Sequence, residues 1–115
     1  MTGGGRRRRA CVVLALAGGL LMPGVFLTVA ASAETITVTV SKLAFVPASS
    51  TAKIGDTIEW TNADFVDHTA TATDKAFDVR LPAGKTASVT LSRAGTFPYF
   101  CRVHPMMKGT VEVRE

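Results

Sequence analysis

The chain has 115 residues, 47% hydrophobic and 19% charged, with 13 basic against 9 acidic side chains and a formal net charge of +4. Four of the basic residues are consecutive, Arg6, Arg7, Arg8 and Arg9, and every acidic residue lies at or after Glu34, so from Glu34 onward the charges balance. The length allows one small domain, and a basic excess confined to one terminal run excludes nucleic acid as the partner its charge would suggest.

Behind the arginines, residues 10–27 form an apolar run broken by Pro23 and Gly24, and Ala31, Ser32 and Ala33 then follow the small-x-small order that signal peptidase accepts. This predicts a signal peptide over 1–33, removed to leave 34–115 as one mature domain in the bacterial periplasm or otherwise exported. The competing reading is a retained membrane anchor, because the run is about as long as the shortest spans that cross a bilayer. Pro23, Gly24 and the cleavage pattern argue against it, so no stable membrane insertion is expected after cleavage. In both cases the arginines stay cytoplasmic, and Sec and twin-arginine export are both open. Cys11 falls in the leader, which leaves Cys101 alone in the mature chain, without an internal disulfide. A lone thiol in an oxidising compartment needs protection, and metal ligation supplies it.

The mature segment reads as strands in succession. Residues 35–40 alternate threonine with isoleucine and valine, the period-2 pattern of a strand with one buried face. A turn at 53–56 leads to a second alternating run at 57–62, and a third lies at 87–91. After a turn at 93–95 come runs at 97–101 and 109–114. No stretch shows sustained helical periodicity, and no internal repeat is present. Short strands at this spacing predict an all-β, two-sheet antiparallel sandwich or a small barrel. Pro98 lacks an N–H for the ladder, which places the lead-in to Cys101 at an edge or a bulge.

Between the last two runs, Cys101, His104 and Met107 follow Cys-x-x-His-x-x-Met, with His68 the other histidine of the chain. Singly, each has a commonplace reading: a buried apolar thiol, a core-filling methionine, a surface imidazole. Together, in an exported all-β chain, they form a set of two imidazoles, one thiolate and a weak axial thioether. That set suits copper in both oxidation states and defines the blue-copper electron-transfer site. Zinc is the alternative metal, but it gains little from a thioether. Met106 competes with Met107 for the axial role, and the spacing favours Met107. Asp64 and Asp67 read as turn-formers, and no paired acid, base or nucleophile suggests an enzyme.

At these residues the chain resembles the cupredoxins, and its short loop is similar to that of their amicyanin-like members. Residues 101–107, Cys-Arg-Val-His-Pro-Met-Met, carry the Cys-x-x-His-Pro-x-Met spacing. Residues 55–62, Gly-Asp-Thr-Ile-Glu-Trp-Thr-Asn, match the family's Gly-Asp-x-Val-x-Trp-x-Asn strand, while 95–101 and 107–111 match the strands into and out of the site. The resemblance implies an eight-stranded cupredoxin-like Greek-key β-sandwich of two sheets, with one type 1 copper bound by His68, Cys101, His104 and Met107. It implies a monomeric one-electron carrier between redox proteins, with a dehydrogenase as donor and a c-type cytochrome as acceptor. Copper trafficking or storage is the alternative. Members commonly have Asn after the upstream histidine, whereas this chain has Thr69, whose hydroxyl can still hydrogen-bond backbone; an intact but differently tuned site is expected. The mature domain is also short at its N-terminus. Around His104, the residues Pro105, Met106, Phe65 and Val66 would form an apolar docking patch, with Arg102 and Lys108 flanking the loop.

Overall fold

The computed structural model describes residues 18–25 and 32–115. The arginine run, most of the apolar run and Ala31 lie outside the described residues; 18–25 are exposed and belong to no helix or strand. Among the described residues no helix is long and apolar enough to cross a membrane.

Among the described residues there are nine strands: β1 (Thr35–Ser41), β2 (Ala44–Val46), β3 (Ser49–Lys53), β4 (Thr57–Asn62), β5 (His68–Ala72), β6 (Asp78–Leu81), β7 (Thr86–Thr90), β8 (Gly95–Phe100) and β9 (Lys108–Arg114). They form a four-stranded sheet in the order β2-β1-β4-β7 and a five-stranded sheet in the order β3-β9-β8-β5-β6. All five alternating runs of the sequence are strands. Both sheets are mixed, however, because β1 pairs β4 in parallel and β3 pairs β9 in parallel. The path of the chain explains this departure from an antiparallel sandwich. After the β1–β2 hairpin the chain crosses to the other sheet as β3, then returns through Gly55, at φ 95°, to lay β4 beside β1 in the same direction. Alternation in the sequence reports which face is buried; it carries no information on the direction of the neighbour.

The core lies between the inner faces of the two sheets. Val38, Val40, Ile58 and Trp60 come from one, and Ala70, Ala72, Leu81, Tyr99, Val111 and Val113 from the other. Tyr99 is boxed by aromatic rings: Phe45 at 4.8 Å and Trp60 at 5.5 Å between centroids, both edge-on, and Phe77 at 5.9 Å. Directly opposite Tyr99 on β9 is Gly109, where a Cβ would run into the tyrosine ring. Burial pushes the Tyr99 phenol above its ordinary value, an effect the nearby Trp60 indole only partly offsets. The phenol oxygen and the indole nitrogen are both buried without a partner at hydrogen-bonding geometry. This packing sets the height of β8, and therefore of Cys101 at its end.

Candidate metal centre

The loop between β8 and β9 closes on itself. Cys101 N–H donates to the Met107 carbonyl at 3.1 Å, and Met107 N–H donates to the His104 carbonyl at 2.9 Å. Three residues of different chemistry are thereby gathered at one end of the sandwich. Cys101 is fully buried, Met107 is buried immediately before β9, and His104 is half-buried. Met106, by contrast, is 79% exposed, so the packing separates the two candidates for an axial thioether.

His68 reaches the loop from the first position of β5, where it is buried. Its Nδ1 lies 3.6 Å from Cys101 Sγ and 3.3 Å from His104 Nδ1. Donor atoms of His68, Cys101 and His104 all fall within 4.8 Å of one another, the single cluster of its kind among the described residues. The other ring nitrogen, Nε2, is 2.9 Å from Asp64 Oδ2. A carboxylate accepts and does not donate, so the proton sits on Nε2 and the Nδ1 lone pair faces inward. Lone pairs on two imidazole nitrogens and a sulfur that converge this closely need a proton or a cation between them. The donors fit one bound metal on that ground, and the mixture of thiolate, imidazole and thioether matches a type 1 copper site.

Asp64 owes its place to the segment between β4 and β5. Asn62, buried at the end of β4, donates through Nδ2 to the carbonyls of Val66 and Leu81, both at 2.8 Å, and accepts the Asp64 N–H at 2.9 Å. Asp64 in turn accepts the N–H groups of Lys42 and Leu43 at 2.7 and 3.1 Å. Those two form the β1–β2 turn at φ 51° and 58°, a left-handed conformation that costs about 1–2 kcal/mol per non-glycine residue. The Leu43 N–H foremost, with His68 and the Lys42 N–H, holds the Asp64 carboxyl below its ordinary value against some desolvation. One side chain therefore clamps a strained hairpin and orients an imidazole. Asp67 accepts the Ala83 N–H at 3.0 Å and likewise serves a turn.

Thr69 lies next to His68. Its backbone N–H points at Cys101 Sγ at 3.3 Å, and its hydroxyl accepts the Arg102 N–H at 2.8 Å. A threonine thus makes the loop-tying bond expected of a hydroxyl at this position. Sequence reasoning singled out His68, Cys101, His104 and Met107. It gave Asn62 no role beyond a motif position and read Asp64 as a turn-former without its bond to His68. The turn-forming composition of 62–67 was the available signal for both. Of the two cations that flank the loop, Arg102 is tied to Asp78 at 3.2 Å and to Thr71 at 3.3 Å, while Lys108 is exposed. Beside the partly exposed His104 in its loop, Val103, Pro105 and Met106 are exposed, and Phe65, 99% exposed, and Val66 are exposed in the segment before His68.

A family model described as the Cupredoxin-like domain matches residues 10–113. Amicyanin from Paracoccus versutus is 29% identical over 87 residues, covering 70% of this chain and 66% of that protein, so the chain spans just under two thirds of that relative. Amicyanin-alpha from Methylorubrum extorquens is 32% identical over 89 residues, covering 72% and 75%. Among solved structures, a reduced-state amicyanin mutant superposes with a TM-score of 0.62 at 27% identity, over 70% of this chain and 82% of that one. A copper-containing nitrite reductase from Thermus scotoductus superposes with a TM-score of 0.65, also at 27% identity, but the match covers only 22% of the larger protein.

Proposed function

The chain belongs to the cupredoxin-like family, with amicyanins among its relatives, and from that premise we propose that it is an exported type 1 copper protein that carries single electrons between redox partners. The observation that carries this reading is the inward convergence of His68 Nδ1, His104 Nδ1 and Cys101 Sγ within 4.8 Å. His68, Cys101, His104 and Met107 would hold one copper ion. When bound, the copper supplies a Cu(II)/Cu(I) couple.

The protein's own residues do the rest. The Asp64–His68 bond and the closed 101–107 loop hold the donors in one geometry, so little has to move when charge changes. Burial of Cys101, His68 and Met107 excludes water and oxidants from the sulfur. His104 alone of the four reaches toward solvent, and the apolar surface around it suits brief, small-area encounters. A dehydrogenase as donor and a c-type cytochrome as acceptor are the proposed partners, met by a monomer. Four donors would fill the coordination shell and would leave no open position for a substrate, which argues against catalysis of the nitrite-reductase kind. Residues 1–33 are proposed as the cleaved leader and 34–115 as the mature domain in the periplasm. A copper carrier gains no specific support, since three of the four donors are sealed from a receiving protein.

The test is the visible spectrum of residues 34–115 after one equivalent of Cu(II), beside Cys101→Ser. An intense blue band, bleached by ascorbate, restored on oxidation and missing from the variant, is expected. A colourless protein, or a band that survives the substitution, rules the reading out.

A further inference from the structure

On β5, His68, Ala70 and Ala72 face the core, so Thr69 and Thr71 face the other side of the sheet, yet they are only 6% and 7% exposed. Asp78 and Arg102 lie against them. Thr71 O–H donates to Asp78 Oδ1 at 2.8 Å, and the Thr69 and Thr71 hydroxyl oxygens are 3.0 Å apart. The Arg102 backbone N–H donates to Thr69 Oγ1 at 2.8 Å. The Arg102 side chain closes the circuit, with Nε 3.3 Å from Thr71 Oγ1 and Nη2 3.2 Å from Asp78 Oδ1.

We propose that Asp78, acting through Thr71 and Thr69, is a positioning residue for Cys101. A carboxylate only accepts, so the single hydroxyl proton of Thr71 is committed to Asp78. Thr71 must then accept from Thr69, whose own proton is committed in turn. What faces Arg102 is therefore a Thr69 lone pair, with the hydroxyl proton held away on the Thr71 side, an arrangement suited to a backbone N–H. Successive bonds of this kind polarise and strengthen one another in a buried setting. Without the carboxylate, both hydroxyls are free to turn and the direction of the chain is lost.

The consequence falls on the thiolate. Thr69 holds Cys101 on two sides, with its N–H on the sulfur and its hydroxyl on the peptide that follows. Hydrogen bonding around the cysteine sulfur tunes the potential of a blue-copper site, so a relay that fixes Thr69 also fixes that tuning. Strand register makes the circuit possible: Thr71 stands opposite Asp78 on β6 and opposite Phe100 on β8, which brings Arg102 alongside Thr69. The Asp78–Arg102 ion pair is about half exposed on both sides, and such a pair contributes little alone. Its place is to hold the carboxylate over Thr71.

The inference rests on the copper reading for its redox consequence, though not for its geometry. Thr71→Val keeps the shape and the ion pair but removes the hydroxyl; Thr71→Ser restores it. In the metal-free protein, hydrogen exchange of the Arg102 amide should be about tenfold faster in Thr71→Val, the loss of one hydrogen bond, and near wild type in Thr71→Ser. In the copper-loaded protein, the reduction potential should shift in Thr71→Val and return in Thr71→Ser. Arg102→Gln, corrected for its intrinsic exchange rate, should leave that amide protected. Unaltered exchange in Thr71→Val, no recovery with serine, or equal acceleration in Arg102→Gln overturns the relay. Altered exchange with an unmoved potential overturns its reach to the sulfur. A wild-type protein that takes up no copper sinks the metal reading alone, and the exchange in the metal-free protein still decides the relay.

Discussion

Replacing Asp64 with alanine removes three hydrogen bonds at once, and their consequences are separable. The Lys42 and Leu43 N–H groups are near solvent and regain water, but the buried His68 Nε2–H is left without a partner. An unsatisfied buried donor costs about 1–3 kcal/mol, and the lower half applies here because the Asp64 side chain is 15% exposed and water can enter its place. The unclamped β1–β2 turn, with both central residues left-handed, adds roughly 1 kcal/mol. A total of about 2 kcal/mol lowers the melting temperature of a domain this size by about 10–15 °C. Loss of the partner of a metal-binding histidine also weakens metal binding by about 10- to 100-fold, since the imidazole is free to rotate and to move its proton to Nδ1. The assays are thermal denaturation of the metal-free protein and competition for Cu(I) against a chelator of known affinity. A melting temperature within about 2 °C of wild type, together with affinity within about twofold, refutes the reasoning.

Three further outcomes follow from the packing and the electrostatics. Gly109→Ala should destabilise the fold by about 2–3 kcal/mol, because the added methyl meets a Tyr99 ring that three other aromatics prevent from moving; a denaturant midpoint equal to wild type would mean that the ring does give. Asp56 accepts the N–H groups of Glu34 and Lys53, the Glu34 bond foremost, and these hold its carboxyl below 3.8 against desolvation. Its folded value lies below the unfolded one, so this stabilisation is complete above 3.8 and disappears as pH falls through the lower native value. Urea midpoints followed from pH 7 to pH 2 should show an acid-side decline that Asp56→Asn reduces, and parallel profiles would contradict the assignment. Met106→Glu should slow bimolecular electron transfer to a redox partner while leaving the blue spectrum intact; unchanged rates with every partner tried would remove the apolar patch from the docking surface.

The parts of the fold legible in advance were those with a local signature. Strands β1, β4 and β9 place β-branched and apolar residues on one face and polar ones on the other, so their burial alternates as their sequence does. Strand β5 was illegible for a physical reason. Its residues, His-Thr-Ala-Thr-Ala, are buried on both faces, so no alternation of polarity marks it. Strands β2 and β3 are short or rich in serine and threonine, so no alternation marks them either. The parallel pairings, β1 with β4 and β3 with β9, have no local signature at all.

The site divides along the same line. Cys101, His104 and Met107 sit within one tight loop, so their spacing and chemistry alone identify a soft-metal donor set. Chain order also made His68 the one further imidazole available. The tertiary structure decided what surrounds them: that Asp64 holds the His68 proton on the outer nitrogen, that Met106 turns outward while Met107 is buried, and that Thr71 and Asp78 stand behind Thr69. Donor chemistry and periodicity belong to residues near one another in the chain and survive in the sequence. Proton direction, register and second-layer contacts arise between segments tens of residues apart, and they exist only once the strands have paired.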